Sequence, residues 1–274
     1  MKWIRLDVYL SQTGRSRSRE KARREILAGW VKVDGETVTS PARNITGAER
    51  ITVSRPGGLY VSRGGIKLER GLNTFGIDLA GRVAADLGAS TGGFTDCMLK
   101  YGAARVYAVD VGYGQIDYSL RTDARVVVMD KTNARNLKAS DFPEKIEFVA
   151  VDLSFVSIVK IFDAVRNVFA PVQGIILIKP QFEAGTGEQK KGVVRKKEAH
   201  TEILLRTVSG LVKIGISMKG LVHSPIKGPK GNIEFLLHFN CERESGQGAE
   251  LSETQEALVR EAVERAHREF GDLK

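Results

Sequence analysis

Between residues 83 and 239, short apolar runs alternate with stretches of helical period. The strand-like runs fall at 83–87, 105–109, 126–129, 146–151, 174–178, 217–222 and 233–239, and helical patterns occupy 94–101, 154–168 and 195–213. Apolar strands separated by helices predict a mostly parallel sheet covered on both faces. The last run breaks the rule, because only SPIKGPKGN separates it from its predecessor. That connection is too short for a helical crossover, so the final strand is expected to pair antiparallel. Near the end of the chain, Ser252 and Gln255 have the spacing of a capping box. Leu258, Ala262 and Ala266 then form an apolar stripe, which predicts a surface helix.

Residues 1–54 are patterned differently and predict a small α+β unit. Leu6 and Leu10 lie one helical turn apart, and Ser18 can cap a second helix closed by Gly29. Ala22, Ile26 and Leu27 would face inward there, leaving Arg19, Arg23 and Arg24 outside. VKVDGETVT alternates around Asp34-Gly35, a strong hairpin signal, and Glu49 to Val53 supplies another strand. Residues 55–58, Arg-Pro-Gly-Gly, suit a linker. The expected division is therefore 1–54, a linker at 55–58, and 59–274. Ile66 to Phe75 predicts a helix with Ile66, Leu72 and Phe75 inward and Lys67 near its start.

Composition narrows the class. Hydrophobic residues make up 42% and charged residues 27%, which is ordinary for a soluble globular protein. MKWIRLDVYL lacks the apolar core of a signal peptide, and no run approaches the length of a membrane span. Cys97 and Cys241 are far apart and lie in apolar segments, so reduced thiols and a cytoplasmic setting are expected, with no metal site. The net charge is +9, and residues 1–25 carry eight Lys or Arg against three acids, whereas 242–274 are net acidic. A basic end of this kind is the footprint of a polyanion, although charge alone equally describes a solvated helix face. The candidate contacts to an RNA backbone are Arg5, Arg17, Arg19, Arg23, Arg24 and Arg63.

The most informative stretch is VAADLGASTGGF, residues 83–94, in which an apolar run breaks into a glycine turn that enters a helix. This arrangement brings bare backbone N–H groups to a ligand. Its spacing matches neither the phosphate-gripping loop nor the dinucleotide fingerprint. Asp110 follows about twenty residues after the turn, where an acid can take the two hydroxyls of a ribose. The combination suits an adenosine ligand without a pyrophosphate, such as S-adenosyl-L-methionine. Candidate cofactor residues are Asp86, Gly88, Ala89, Ser90, Gly92, Gly93, Phe94, Asp110 and Asp130, with Phe94 expected to pack beneath the loop.

Ligands of open α/β sheets bind beyond the carboxyl ends of the strands. Charged residues fall at those ends: Asp110, Asp130, Asp152 in VDLSF and Lys179 in LIKPQF, with Glu234 opening the last strand. An ionised group after a buried run has either a partner or a ligand, so Asp152 and Lys179 form either a structural pair or a site. Asp152-Leu153-Ser154-Phe155 lacks the prolines usual for methylating an exocyclic base nitrogen, and no nucleophilic cysteine lies nearby for carbon-5 chemistry. A ribose hydroxyl requires only that its proton be accepted as the methyl group arrives, which a lysine can do.

The order Lys67, Asp152, Lys179, Glu234 resembles the catalytic tetrad of the FtsJ-like ribose 2′-O-methyltransferases. RLDVYL…SRSREKARREILAGWVKVDGETV resembles the alpha-L RNA-binding domain. YVSRGGIKLERGL, DLGASTGGFTDC, VDVGYGQ, DKTNAR, VDLSFVSI, IKPQFEAG and SPIKGPKGNIEFL occur in order, and together they resemble the TlyA family over essentially the whole chain. The resemblance implies a seven-stranded Rossmann-like class I methyltransferase fold behind an RNA-binding domain. It implies S-adenosyl-L-methionine as donor and cytidine 2′-hydroxyls of ribosomal RNA, free or in ribosomal subunits, as acceptors. Lys179 would be the base or would orient the hydroxyl, Asp152 and Glu234 would hold the lysines, and Lys67 would add a donor. Asp117-Tyr118 departs from the Asp-Trp pair expected beside the cofactor. The family also carries the name haemolysin, but the short apolar runs argue against stable membrane insertion.

Overall fold

The computed structural model describes residues 3–16, 18–54, 60–154, 157–185, 189, 192–243 and 248–271. The N-terminal unit runs β1 (Ile4–Arg5), α1 (Leu6–Gln12), α2 (Arg19–Leu27), β2 (Val31–Val33), β3 (Glu36–Val38), β4 (Asn44–Ile45) and β5 (Ile51–Val53). Leu6, Leu10, Ala22, Ile26, Val31 and Val33 are fully buried and form its core. The Ser18 hydroxyl accepts from Lys21 N and caps α2 as expected, whereas Leu27 is only half-buried. Asp34 and Gly35 both have positive φ, as the tight β2–β3 hairpin requires. The β1–β4 ribbon was not legible in the pattern, since each strand is two residues long.

The second unit contains α3 (Gly64–Phe75), β6 (Val83–Leu87), α4 (Gly93–Lys100), β7 (Arg105–Val109), α5 (Tyr118–Arg121), β8 (Val126–Met129) and β9 (Phe148–Val151). It continues with α6 (Val159–Phe169), β10 (Val172–Ile178), α7 (Pro180–Glu183), α8 (Lys197–Lys213), β11 (Ile216–His223), β12 (Phe235–Cys241) and α9 (Glu253–Phe270). The seven strands lie in the order β11-β12-β10-β9-β6-β7-β8. The strands from β10 to β8 run parallel, and β12 lies antiparallel between β10 and β11. Leu68, Leu72, Phe94, Cys97 and Met98 of α3 and α4 cover one face, and Phe162, Leu204, Leu211, Val259 and Val263 of α6, α8 and α9 cover the other. This is the expected three-layer α/β fold.

Strand order reverses between β6 and β9, so the crevice for a ligand opens at their carboxyl ends. Two boundaries differ from the pattern near this crevice. The helix expected over 154–168 begins only at Val159, because the Glu183 carboxylate accepts from Ile158 N (2.8 Å) and Ser157 Oγ (2.8 Å) and caps it from another element. The final strand begins at Phe235, so Glu234 stands just before it. In α9 the capping box forms, but the buried stripe is Val259, Ala262, Val263 and Ala266, with Leu258 half-buried. Arg17 and the proposed linker at 55–58 lie outside the described residues.

Candidate active site and cofactor cradle

The glycine turn closes over the ends of β6 and β9 because two positions tolerate no side chain. Gly88 has φ +94°, and a Cβ there would lie 2.3 Å from the Asp152 carbonyl oxygen. Gly92 has φ +92°, and its Cβ would lie 2.3 Å from Leu120 Cδ1. Between them Ser90 adopts φ 49°, which a serine seldom does, and its N–H donates to Asp110 Oδ2 at 2.8 Å. The other Asp110 oxygen accepts from Gly112 N at 2.6 Å. Backbone alone therefore fixes this carboxylate at the end of β7, against the turn. Ala89 and Gly93 are buried within the turn, and Phe94 lies in the core beneath it. Asp130 accepts from Arg121 (2.8 Å) and Gly114 N (3.2 Å), so it braces the loop that follows Asp110.

Asp86 lies wholly inside β6. Its Oδ2 accepts from Thr95 N (2.9 Å) and Thr95 Oγ1 (2.6 Å), while Oδ1 has no partner among the described residues. Burial pushes its pKa up to about 7 against the two Thr95 hydrogen bonds. A carboxyl raised in this way binds its proton more tightly folded than unfolded. Its contribution to stability therefore falls as pH rises from about 4 to about 7, then levels off. Asp86→Asn is expected to flatten that slope in urea unfolding measured at pH 5 and pH 8; an unchanged slope would refute the assignment. An orphaned buried carboxylate oxygen and a preset acid at the next strand end, on either side of a glycine turn packed tightly on Asp152 and Leu120, together fit a nucleoside with a cationic tail.

The tetrad assembles beside this cradle as two ion pairs. Lys67 Nζ meets Glu234 Oε2 at 2.5 Å, and Lys179 Nζ meets Asp152 Oδ1 at 2.5 Å. Glu234 is fully buried, the two lysine side chains are equally and largely buried, and Asp152 is the most open of the four. Burial opposes the charge on Lys67, but Glu234 and Asp152 outweigh it and raise its pKa. Burial likewise opposes the charge on Asp152, yet Lys179 and Lys67 prevail and keep its carboxyl below the usual range. The pairs are thus coupled into one four-residue network with balanced charge. Ser154 Oγ accepts a further hydrogen bond from Lys179 Nζ at 2.9 Å. Sequence reasoning missed this contact, although Ser154 lies two residues after Asp152.

On the N-terminal unit, Arg5, Arg19 and Arg23 line a groove of about 540 Å³ with Leu27 and Pro41. Buried Asp7 accepts from Arg5 (2.8 Å) and Arg19 (3.2 Å) and fixes both guanidinium groups. Arg24 pairs with Glu20 at 2.6 Å and is half-buried. Exposed Trp3, two residues before Arg5, was not among the expected contacts. Arg63 lies apart from this face: its guanidinium donates to Thr37 Oγ1 and to the Lys227 carbonyl.

An FtsJ-like methyltransferase family model matches residues 60–241, and an S4 domain model matches 4–51. The chain belongs to the FtsJ-like methyltransferase family. The putative rRNA methyltransferase YqxC of Bacillus subtilis is 42% identical, over 98% of this chain and 96% of that one. The 16S/23S rRNA (cytidine-2′-O)-methyltransferase TlyA of Mycobacterium tuberculosis is 38% identical, over 89% and 92% respectively. A solved structure of a putative hemolysin from Streptococcus thermophilus is 39% identical, covers 98% of both chains and superposes with a TM-score of 0.75. The methyltransferase model spans the cradle and all four tetrad residues.

Proposed function

We propose that the protein transfers a methyl group from S-adenosyl-L-methionine to the 2′-hydroxyl of cytidine in ribosomal RNA. The observation that carries this is the double ion pair Lys67–Glu234 and Lys179–Asp152 at the sheet edge beside the glycine cradle. The cofactor supplies an electrophilic methyl group on a sulfonium. Asp110 would take the ribose hydroxyls, the 88–92 backbone would admit the methionine portion, and Asp86 would face its ammonium. Lys179 would orient the acceptor hydroxyl or accept its proton as the oxygen–methyl bond forms and the sulfur–methyl bond breaks, with S-adenosyl-L-homocysteine as the leaving thioether. Asp152 and Ser154 fix the direction of Nζ, while Glu234 keeps Lys67 charged and available to a ribose or phosphate oxygen.

Arg5 and Arg19, held by Asp7, would bind the RNA backbone together with Arg23 in the same groove, and exposed Trp3 is suited to stacking on an unpaired base. A ribosomal RNA substrate implies a cytoplasmic site of action. Among the described residues, no helix is long and apolar enough to cross a membrane. The test is methyl transfer from labelled S-adenosyl-L-methionine to ribosomal RNA and subunits, followed by nucleoside analysis. 2′-O-methylcytidine is the expected product. A base-methylated product, or none with any ribosomal substrate, would overturn the reading.

A further inference from the structure

Arg63 belongs to neither the basic groove nor the tetrad, yet it touches the surroundings of both. It precedes the first residue of α3, four positions before Lys67. Its Nη1 donates to Thr37 Oγ1 on β3 of the N-terminal unit at 2.6 Å, and its Nη2 donates to the Lys227 carbonyl at 3.1 Å. Its backbone N–H reaches Ala28 O at 3.4 Å, and its stem lies over Gly29, where a Cβ would come 3.3 Å from Arg63 Cδ.

The Lys227 side of this contact leads directly to the tetrad. Gly228 is packed so closely on Glu234 that a Cβ would lie 2.1 Å from Oε1. Ser224 N also donates to the Glu234 carbonyl at 2.8 Å. The 224–232 segment is therefore the wall of the Lys67–Glu234 pair, and Arg63 ties that wall to the RNA-binding unit. A half-buried guanidinium donating to two acceptors on different units is poorly placed for an RNA phosphate.

The geometry points to Arg63 as a positioning residue, which locks the N-terminal unit onto the catalytic edge so that RNA held by Arg5, Arg19 and Arg23 is presented to Lys179 at a fixed angle. This rests on the methyltransferase reading above. Its structural core, the locking of the two units, does not.

The test uses the full chain with spin labels at Thr13→Cys and Glu253→Cys, both exposed positions on separate units. Interunit distance distributions are recorded without RNA or cofactor for the parent, Arg63→Ala, Arg63→Lys and Thr37→Val. Broadening is expected in all three variants, because a lysine cannot bridge two acceptors as the planar fork does and valine deletes one of them. Turnover on ribosomal RNA is expected to fall about 10- to 100-fold in Arg63→Ala, the scale of an ångström-sized misplacement. RNA and cofactor affinities should remain within about twofold, a change worth less than 0.5 kcal/mol in binding. Unchanged distance distributions would overturn the proposal. So would a loss of RNA affinity in step with turnover, which would make Arg63 an RNA contact, or full recovery by Arg63→Lys. If the parent transfers no methyl group to any ribosomal substrate, the functional reading fails while the distance measurements still decide whether Arg63 locks the units.

Discussion

Lys179→Ala is expected to lower methyl transfer about 10²- to 10⁴-fold, the range contributed by a positioned acid or base. Lys179 is the tetrad lysine paired with the more exposed acid, held by Asp152 at 2.5 Å and Ser154 at 2.9 Å. The variant should retain its affinity for S-adenosyl-L-methionine, because the glycine turn and Asp110 are positioned by backbone contacts that exclude Lys179. RNA affinity should also persist, since the basic groove lies on the other unit. Asp152 would lose one cation but keep Lys67 as a neighbour, so the fold should survive. Single-turnover kinetics with calorimetric cofactor binding separates these effects. Full activity in this variant would remove Lys179 from the mechanism; loss of cofactor binding would mean that the cradle and tetrad are not separable.

Glu234→Ala should be felt first as lost stability. Glu234 is fully buried and Lys67 is about 9% exposed, so removing the acid leaves an ammonium in the interior with Asp152 as counter-charge and the Arg63 cation opposing it. Breaking a buried pair from one side typically costs about 3–5 kcal/mol. For a unit of this size that corresponds to a fall of roughly 10 °C in Tm. The paired change Lys67→Met with Glu234→Leu removes both charges and should recover most of the stability while remaining inactive. Calorimetry on the three proteins checks this. A single variant as stable as the parent would mean that the ammonium is solvated and that the pair is not a structural anchor. Full activity in the paired variant would show that the tetrad is not catalytic.

Much of the site was legible because its parts lie at places that periodicity identifies. The apolar runs at 83–87, 105–109 and 126–129 are the strands observed, so the residues that end them lie at the crevice as expected. Asp152 and Lys179 follow β9 and β10 directly, and a charge after a wholly apolar run already implied a partner. Glu234 was legible as a charge opening the last strand, but its role beside a lysine came only through resemblance, since its pairing with Lys67 spans 167 positions of sequence. Ser154 carried no distinguishing signal, because an exposed serine after a strand is ordinary until its neighbour in space is known.

The sequence by itself determined the layer order, the antiparallel final strand, the glycine cradle and the basic character of the N-terminal unit. These follow from residue spacing, from the length of the SPIKGPKGN connection and from local charge, all of which are properties of adjacent residues. The tertiary structure alone decided that the four charged residues form two coupled pairs and that Glu183 caps α6 from a distance. It also set Arg63 between the units, apart from Arg5, Arg19 and Arg23. The physical reason is common to all three. A charged side chain takes its role from the opposite charge or polar atom that packing brings to it, and that partner lies far away along the chain.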